Sequence, residues 1–196
     1  MEEAHRFISN HPEAKFVFFD YDWGDVGMNQ KHEVKLRFKD PNLAMLRSNF
    51  ASTNSVIIHA SVFNHLKFNE ALRISEDWEF WLKNSVRHQF HLTHKSTSYY
   101  IDHGERSVRN FNAQDLIEQK NLFVEFLKKD SVFFEKNKAS LSKINAHMIS
   151  YIALHSTLIK EKRLPLKLFI KSIYLQPASL FSKRSLAIIK YLLFNW

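Results

Sequence analysis

Ser75-Glu76-Asp77-Trp78-Glu79-Phe80-Trp81-Leu82 sets three acids at the head of an apolar stripe. Acids in a first helical turn meet unpaired backbone N–H groups and the positive end of the helix dipole. Trp78, Trp81 and Leu82 stand at i, i+3 and i+4, so one face of a helix over Glu76–Arg87 is predicted to be buried. A capped amphipathic helix accounts for the whole pattern. The same residues also suit chemistry, because a carboxylate held at the mouth of a cleft by two tryptophans can take the proton from an attacking hydroxyl. Asp77 is the candidate general base, with Glu76 beside it.

Upstream of this helix the chain alternates between elements. Glu2–Asn10 reads as a helix stopped by His11-Pro12, and Lys15–Phe19 as a buried strand rich in Val and Phe. Asp20–Glu33 is polar and holds two glycines, so it is expected to be a loop, followed by a half-exposed strand over Val34–Phe38. Asp40-Pro41 is a helix start, with Asp as N-cap and Pro at the first helical position. Asn54–His59 is expected to be a strand, and Phe90–Ile101 one or two strands ending at Asp102-His103-Gly104. Downstream only helices are expected, over Asn112–Lys129, Ala139–Lys160, Leu164–Leu175 and Leu180–Phe194, with Pro165 and Pro177 as punctuation.

Composition narrows the chemistry. The 196 residues are 45% hydrophobic and 24% charged, an ordinary globular balance long enough to bury a core without staples. Three glycines cannot write a Walker loop or a dinucleotide fingerprint. The absence of cysteine removes thiolate nucleophiles, thiolate metal sites and disulfide scaffolds. No signal peptide or membrane-spanning run is visible, so a cytoplasmic protein is expected. The net charge of +8 is uneven: Lys160–Trp196 has eight bases against Glu161 alone, whereas the first 159 residues are nearly neutral. A basic tail on a neutral body with no recognisable reading motif argues against nucleic acid as a partner.

Other candidate groups flank the helix. His103 stands beside Asp102 and Glu105 after a strand end, where an imidazole can complete a divalent-metal site, and Arg106 and Arg109 suit a diphosphate. Trp78 and Trp81 join the two arginines as candidate substrate-binding residues. Asp20 and Asp22 follow an apolar run, a placement that suits Mg²⁺ or Mn²⁺. His88, His91 and His94 straddle a helix end and a strand, so their spacing of three does not converge them on a metal.

Three segments in order, Asn54-Ser55-Val56-Ile57-Ile58, Phe68-Asn69-Glu70-Ala71-Leu72 and Ser75–Leu82, lead to Tyr99-Tyr100-Ile101-Asp102-His103-Gly104-Glu105-Arg106-Ser107. Together Asn49–Ser107 resembles the C-terminal half of a glycosyltransferase family 2-like domain of GT-A fold. The resemblance implies an α/β fold, a mixed sheet with helices forming the acceptor-side half over residues 1–110, then a mostly helical basic region over 111–196. It implies inverting transfer of a sugar from a nucleotide-sugar donor to a glycan or lipid-linked acceptor, in surface polysaccharide or glycan synthesis. Asp77 maps onto that family's catalytic base, and His103 onto the histidine that assists a divalent cation or the diphosphate. Asp20 and Asp22 lie 57 and 55 residues before Asp77, too close to be the family's metal-binding Asp-x-Asp. The nucleotide-binding half is therefore expected to lie outside this chain, and the chain alone to bind sugar nucleotides weakly. A truncated, non-catalytic interaction module derived from such an enzyme is the alternative.

The tail allows two readings. Leu166, Phe169, Ile170 and Ile173 beside Lys167 and Lys171, then Leu186, Ile189, Leu192 and Leu193 beside Lys183, Arg184 and Lys190, with Trp196 at the end, suit an anionic membrane surface over residues 164–196. That would place the protein peripherally on the inner face of the cell membrane. The same stripes would equally serve as packing faces of a helical core, with the lysines solvated.

Overall fold

The computed structural model describes residues 2–27, 31–102, 111–158 and 163–194. The chain divides into two compact units. The first comprises residues 1–45, 49–70 and 76–110; the second comprises 111–196 together with the short segments 46–48 and 71–75.

The first unit is a mixed sheet with helices. Its elements are α1 (Glu2–Asn10), β1 (Phe16–Asp25), β2 (Lys31–Val34), α2 (Pro41–Met45), β3 (Val56–Ile58), α3 (Glu76–Ser85) and β4 (Phe90–Asp102). β4 runs parallel to β1 along its whole length. β3 pairs antiparallel with Phe16–Phe18, and β2 antiparallel with Tyr21–Gly24. Because β4 bonds to the same residues as both, β2 and β3 lie end to end along the opposite edge of β1. The strand is therefore central and paired on both sides.

That position explains its composition. Strands buried on both faces read as continuous apolar runs rather than alternating ones. Val17 and Phe19 pack with Ala14, with Ala4 and Phe7 of α1 and with Ile57. Phe16 and Phe18 point the other way, edge-on to Trp81 of α3 at 6.1 and 5.7 Å between ring centroids, and both meet Phe90 at 5.0 Å. The sheet is thus covered by α1 on one face and α3 on the other. Asn42 of α2 fastens this arrangement: its Nδ2 donates to the Ser85 and His88 carbonyls, and its Oδ1 accepts from the Phe90 amide.

Two sequence expectations are corrected here. Asp20–Glu33 is not a loop: β1 continues to Asp25 and β2 begins at Lys31. Pairing with β2 and β4 supplies backbone hydrogen bonds that the polar residues alone do not announce. The strand expected over Val34–Phe38 ends at Val34, because the Leu36 amide donates to the Asp20 carboxylate at 2.8 Å instead of to a ladder. Asp40 does cap α2, accepting from the Leu43 amide at 2.9 Å.

The second unit is helical: α4 (Ala113–Lys129), α5 (Ser131–Asn137), α6 (Leu141–Leu158), α7 (Arg163–Leu175) and α8 (Lys183–Phe194). Asn112 and Asp115 form a reciprocal capping box at the start of α4. Asp130 caps α5, a helix without a sequence expectation, by accepting from the Phe133 amide. Leu116, Ile149, Ile152, Ala153, Leu168, Phe169 and Ile188 form its core, with Ile74 and Phe111. Among the described residues no helix is long and apolar enough to cross a membrane.

Candidate functional site

Asp77 is the second residue of α3, a helix that starts directly after Ser75, whose φ of 59° lies in the left-handed region that costs a non-glycine residue energy. Its Oδ1 accepts from the Trp78 amide at 2.7 Å and its Oδ2 from Asn49 Nδ2 at 3.1 Å. Burial pushes its pKa up from the ordinary carboxylate value, more than these hydrogen bonds lower it, and the neighbouring charge of Glu76 raises it further. The result is an oriented carboxylate with increased proton affinity.

Glu76 faces elsewhere. It lines a cavity of about 520 Å³ together with Thr53, Val56, Ile58, Phe63, Phe68 and Trp81. Val56 and Ile58 are two apart on β3 and so share one face of that strand. The walls are mostly apolar and aromatic, and Phe68 meets Trp81 edge-on at 5.8 Å. At this cavity the Trp81 indole N–H is buried without an acceptor among the described residues. Asp77 is not among the residues lining this cavity.

The two tryptophans have different positions. Trp78 is 2% exposed and donates its indole N–H to the Met45 carbonyl at 3.0 Å, so it holds α3 against the end of α2. Trp81 is fully buried between β1 and the cavity wall. Glu79, one turn into the helix, is buried and paired with Lys83. His103, Arg106 and Arg109 lie outside the described residues.

Asp20 and Asp22 line a second, polar cavity of about 320 Å³ with Lys31, Lys35, Arg37 and His94. Asp20 is almost buried, and both its oxygens take the Arg37 guanidinium, at 3.2 and 2.9 Å. The same Arg37 nitrogen approaches His94 Nδ1 at 2.6 Å. Asp22 pairs with Lys31 at 3.0 Å. Each carboxylate is therefore neutralised by a cation of the protein, and the pair does not fit a divalent ion. Among the described residues no group of three His, Cys, Asp or Glu is arranged to hold a metal. His88, His91 and His94 go separate ways: His88 packs on Phe16, His91 near Phe7 and His11, and His94 on Arg37.

Sequence reasoning missed Asn49 and Asn42, because an asparagine carries no signal of what it will bond. It also missed the aromatic cavity, whose walls come from β3, the turn after it and α3. Comparison with known proteins finds no matching family model, no similar curated protein and no similar solved structure.

Proposed function

We propose that the first unit forms the acceptor side of a glycosyl-transfer site, a GT-A-like arrangement in which Asp77 is the base. The observation that carries this reading is the Asp77 carboxylate itself. Burial raises its proton affinity while Asn49 fixes its orientation, the combination a general base requires. In the proposed step Asp77 takes the proton from an acceptor hydroxyl. The hydroxyl oxygen bonds to the anomeric carbon of a nucleotide-activated sugar as the bond to the diphosphate breaks, and the diphosphate leaves with that electron pair. Configuration at the anomeric carbon inverts.

The neighbouring cavity supports a saccharide acceptor. Phe63 and Phe68 offer ring surfaces to the C–H faces of a sugar, with Trp81 backing the wall, while Glu76 would accept from its hydroxyls. Asp20 and Asp22 are engaged by Arg37 and Lys31 and supply no metal site to this reaction.

The test is sugar transfer from UDP- and GDP-sugars to saccharide acceptors by a form of the protein that includes the nucleotide-binding half, with tryptophan fluorescence as a readout of cavity occupancy. Asp77→Asn should lower transfer by about 10²–10⁴ and leave the fluorescence response intact. Transfer that survives this substitution at the wild-type rate would show that another group is the base. The second reading is a non-catalytic interaction module, favoured by the absence of Asp77 from the cavity wall. It is the conclusion if neither transfer nor a saccharide-dependent fluorescence change is found.

A further inference from the structure

We propose that the outward faces of α7 and α8 bind the surface of an anionic lipid bilayer. Both helices do pack as a core: Leu168, Phe169 and Ile188 are buried, and Ile173, Ile189 and Leu192 lie against them. That core uses only one side of each helix. On α7 the other side carries Leu166, Ile170 and Tyr174 at intervals of four, with Lys167 and Lys171, all within an arc of about 140° at 100° per residue. Ile170 is 60% exposed and Tyr174 84% exposed. On α8 the outward arc is Leu186, Leu193 and Phe194 with Lys183 and Lys190. The turn between the helices, Pro177–Phe181, presents Phe181 at 85% exposure.

A solvated helix face is normally polar, and one carrying exposed Leu, Ile, Tyr and Phe at helical spacing marks an interaction surface. Charge selects the occupant. From Lys138 to the end of the sequence there are ten bases and one acid, Glu161. On the outward arcs of α7 and α8 lysines flank the apolar residues, and no acid accompanies them. A second copy docked on the same faces would set these lysines against each other, since an isologous contact repeats each patch on both sides. An anionic bilayer meets both features at once: apolar side chains enter the acyl boundary, aromatic tips rest at the headgroups, and lysine stems extend to the phosphates. The inference stands on the second unit alone and does not rest on glycosyl transfer.

The experiment is co-sedimentation of the full chain with phosphatidylcholine vesicles with and without phosphatidylglycerol, at low and high salt. The expected result is binding to the anionic vesicles that weakens as salt rises. Each basic residue near such a surface strengthens partitioning about fivefold, so Lys167→Glu with Lys171→Glu should weaken it about 25-fold or more. Ile170→Glu with Tyr174→Glu should weaken it about tenfold or more while the circular dichroism spectrum is retained. Equal binding to neutral and anionic vesicles, or no binding to either, would overturn the inference. So would anionic binding indifferent to both double variants, or a dimer in gel filtration that the Ile170 and Tyr174 variants dissolve.

Discussion

Asn49 Nδ2 donates to Asp77 Oδ2 at 3.1 Å, bringing a residue 28 positions upstream onto the first turn of α3. This hydrogen bond favours the charged carboxylate, yet burial prevails and the pKa is raised. A carboxyl whose pKa is raised by folding stabilises the fold below its unfolded pKa of about 4, and that contribution is lost as pH rises through the folded pKa. Ionised Asp77 is therefore a cost at neutral pH. Asp77→Asn should raise the thermal midpoint at pH 7, equivalent to about 0.5–2 kcal/mol, with the gain vanishing below pH 4. A midpoint unchanged or lowered at pH 7 would show that Asp77 is there for structure.

The Asp20–Arg37 pair gives a contrasting expectation. Asp20 accepts from the buried Leu36 amide as well as from Arg37. Asp20→Ala leaves that amide without an acceptor and should cost about 1–3 kcal/mol in urea denaturation, whereas Asp20→Asn, which keeps one acceptor oxygen, should cost less. Arg37 is half exposed, which limits what its charge contributes. Adding Mn²⁺ should not restore or increase stability, and calorimetry that registers Mn²⁺ binding lost in Asp20→Asn would reverse the ion-pair reading.

Local signals were legible where burial dictated the residue type. Phe16–Phe19 reads as a strand because both of its faces are covered, and Trp78, Trp81 and Leu82 read as a buried stripe because α3 lies on the sheet. Asp40, followed by Pro41, announces its own cap. The continuation of β1 through Asp20–Asp25 was not legible. Its polar side chains are satisfied by Arg37 and Lys31, and those partners are fixed by the hairpin rather than by any local pattern. In the same way Glu76 and Asp77 are adjacent acids in sequence, but 100° of helical rotation sends one to a cavity and the other to Asn49. Only the fold separates their roles. The tail stripes were legible as apolar, while the division between inward Phe169 and outward Ile170 required the packing of α6 to be seen.

The two tryptophans of α3 should separate when substituted. Trp78→Phe loses the hydrogen bond to Met45 and some volume, so it should destabilise by about 1–3 kcal/mol without changing a saccharide response. Trp81→Ala removes a fully buried side chain packed on Phe16 and Phe18 and should cost about 3–5 kcal/mol. Trp81→Phe, which keeps an aromatic wall but removes volume behind it, should retain the fold but weaken saccharide binding by reshaping the cavity. If Trp78→Phe weakens saccharide binding as much as Trp81→Phe does, the cavity is not the binding site.

His147 of α6 makes the second unit acid-sensitive. Burial first, and then the Arg184 charge, push its imidazole pKa from 6.5 down to about 3. Arg184 donates to the His147 carbonyl and to Ser150 Oγ, both at 3.1 Å, and its guanidinium lies 5.8 Å from the Tyr151 ring centre. Protonating His147 would therefore place a second cation against an arginine with no carboxylate among those partners. A group whose folded pKa is depressed contributes stability that is fully present above its unfolded pKa and is lost as pH falls through the interval down to the folded pKa. The second unit should accordingly lose stability between about pH 6.5 and pH 3, with a slope approaching about 1.4 kcal/mol per pH unit from this group. His147→Gln keeps the backbone carbonyl that Arg184 uses and should flatten that slope in denaturation followed by far-ultraviolet circular dichroism. The NMR signals of the His147 ring should show no titration between pH 8 and 5. A ring that titrates near pH 6.5 would mean that His147 is solvated and that the acid sensitivity, if seen, arises from another residue.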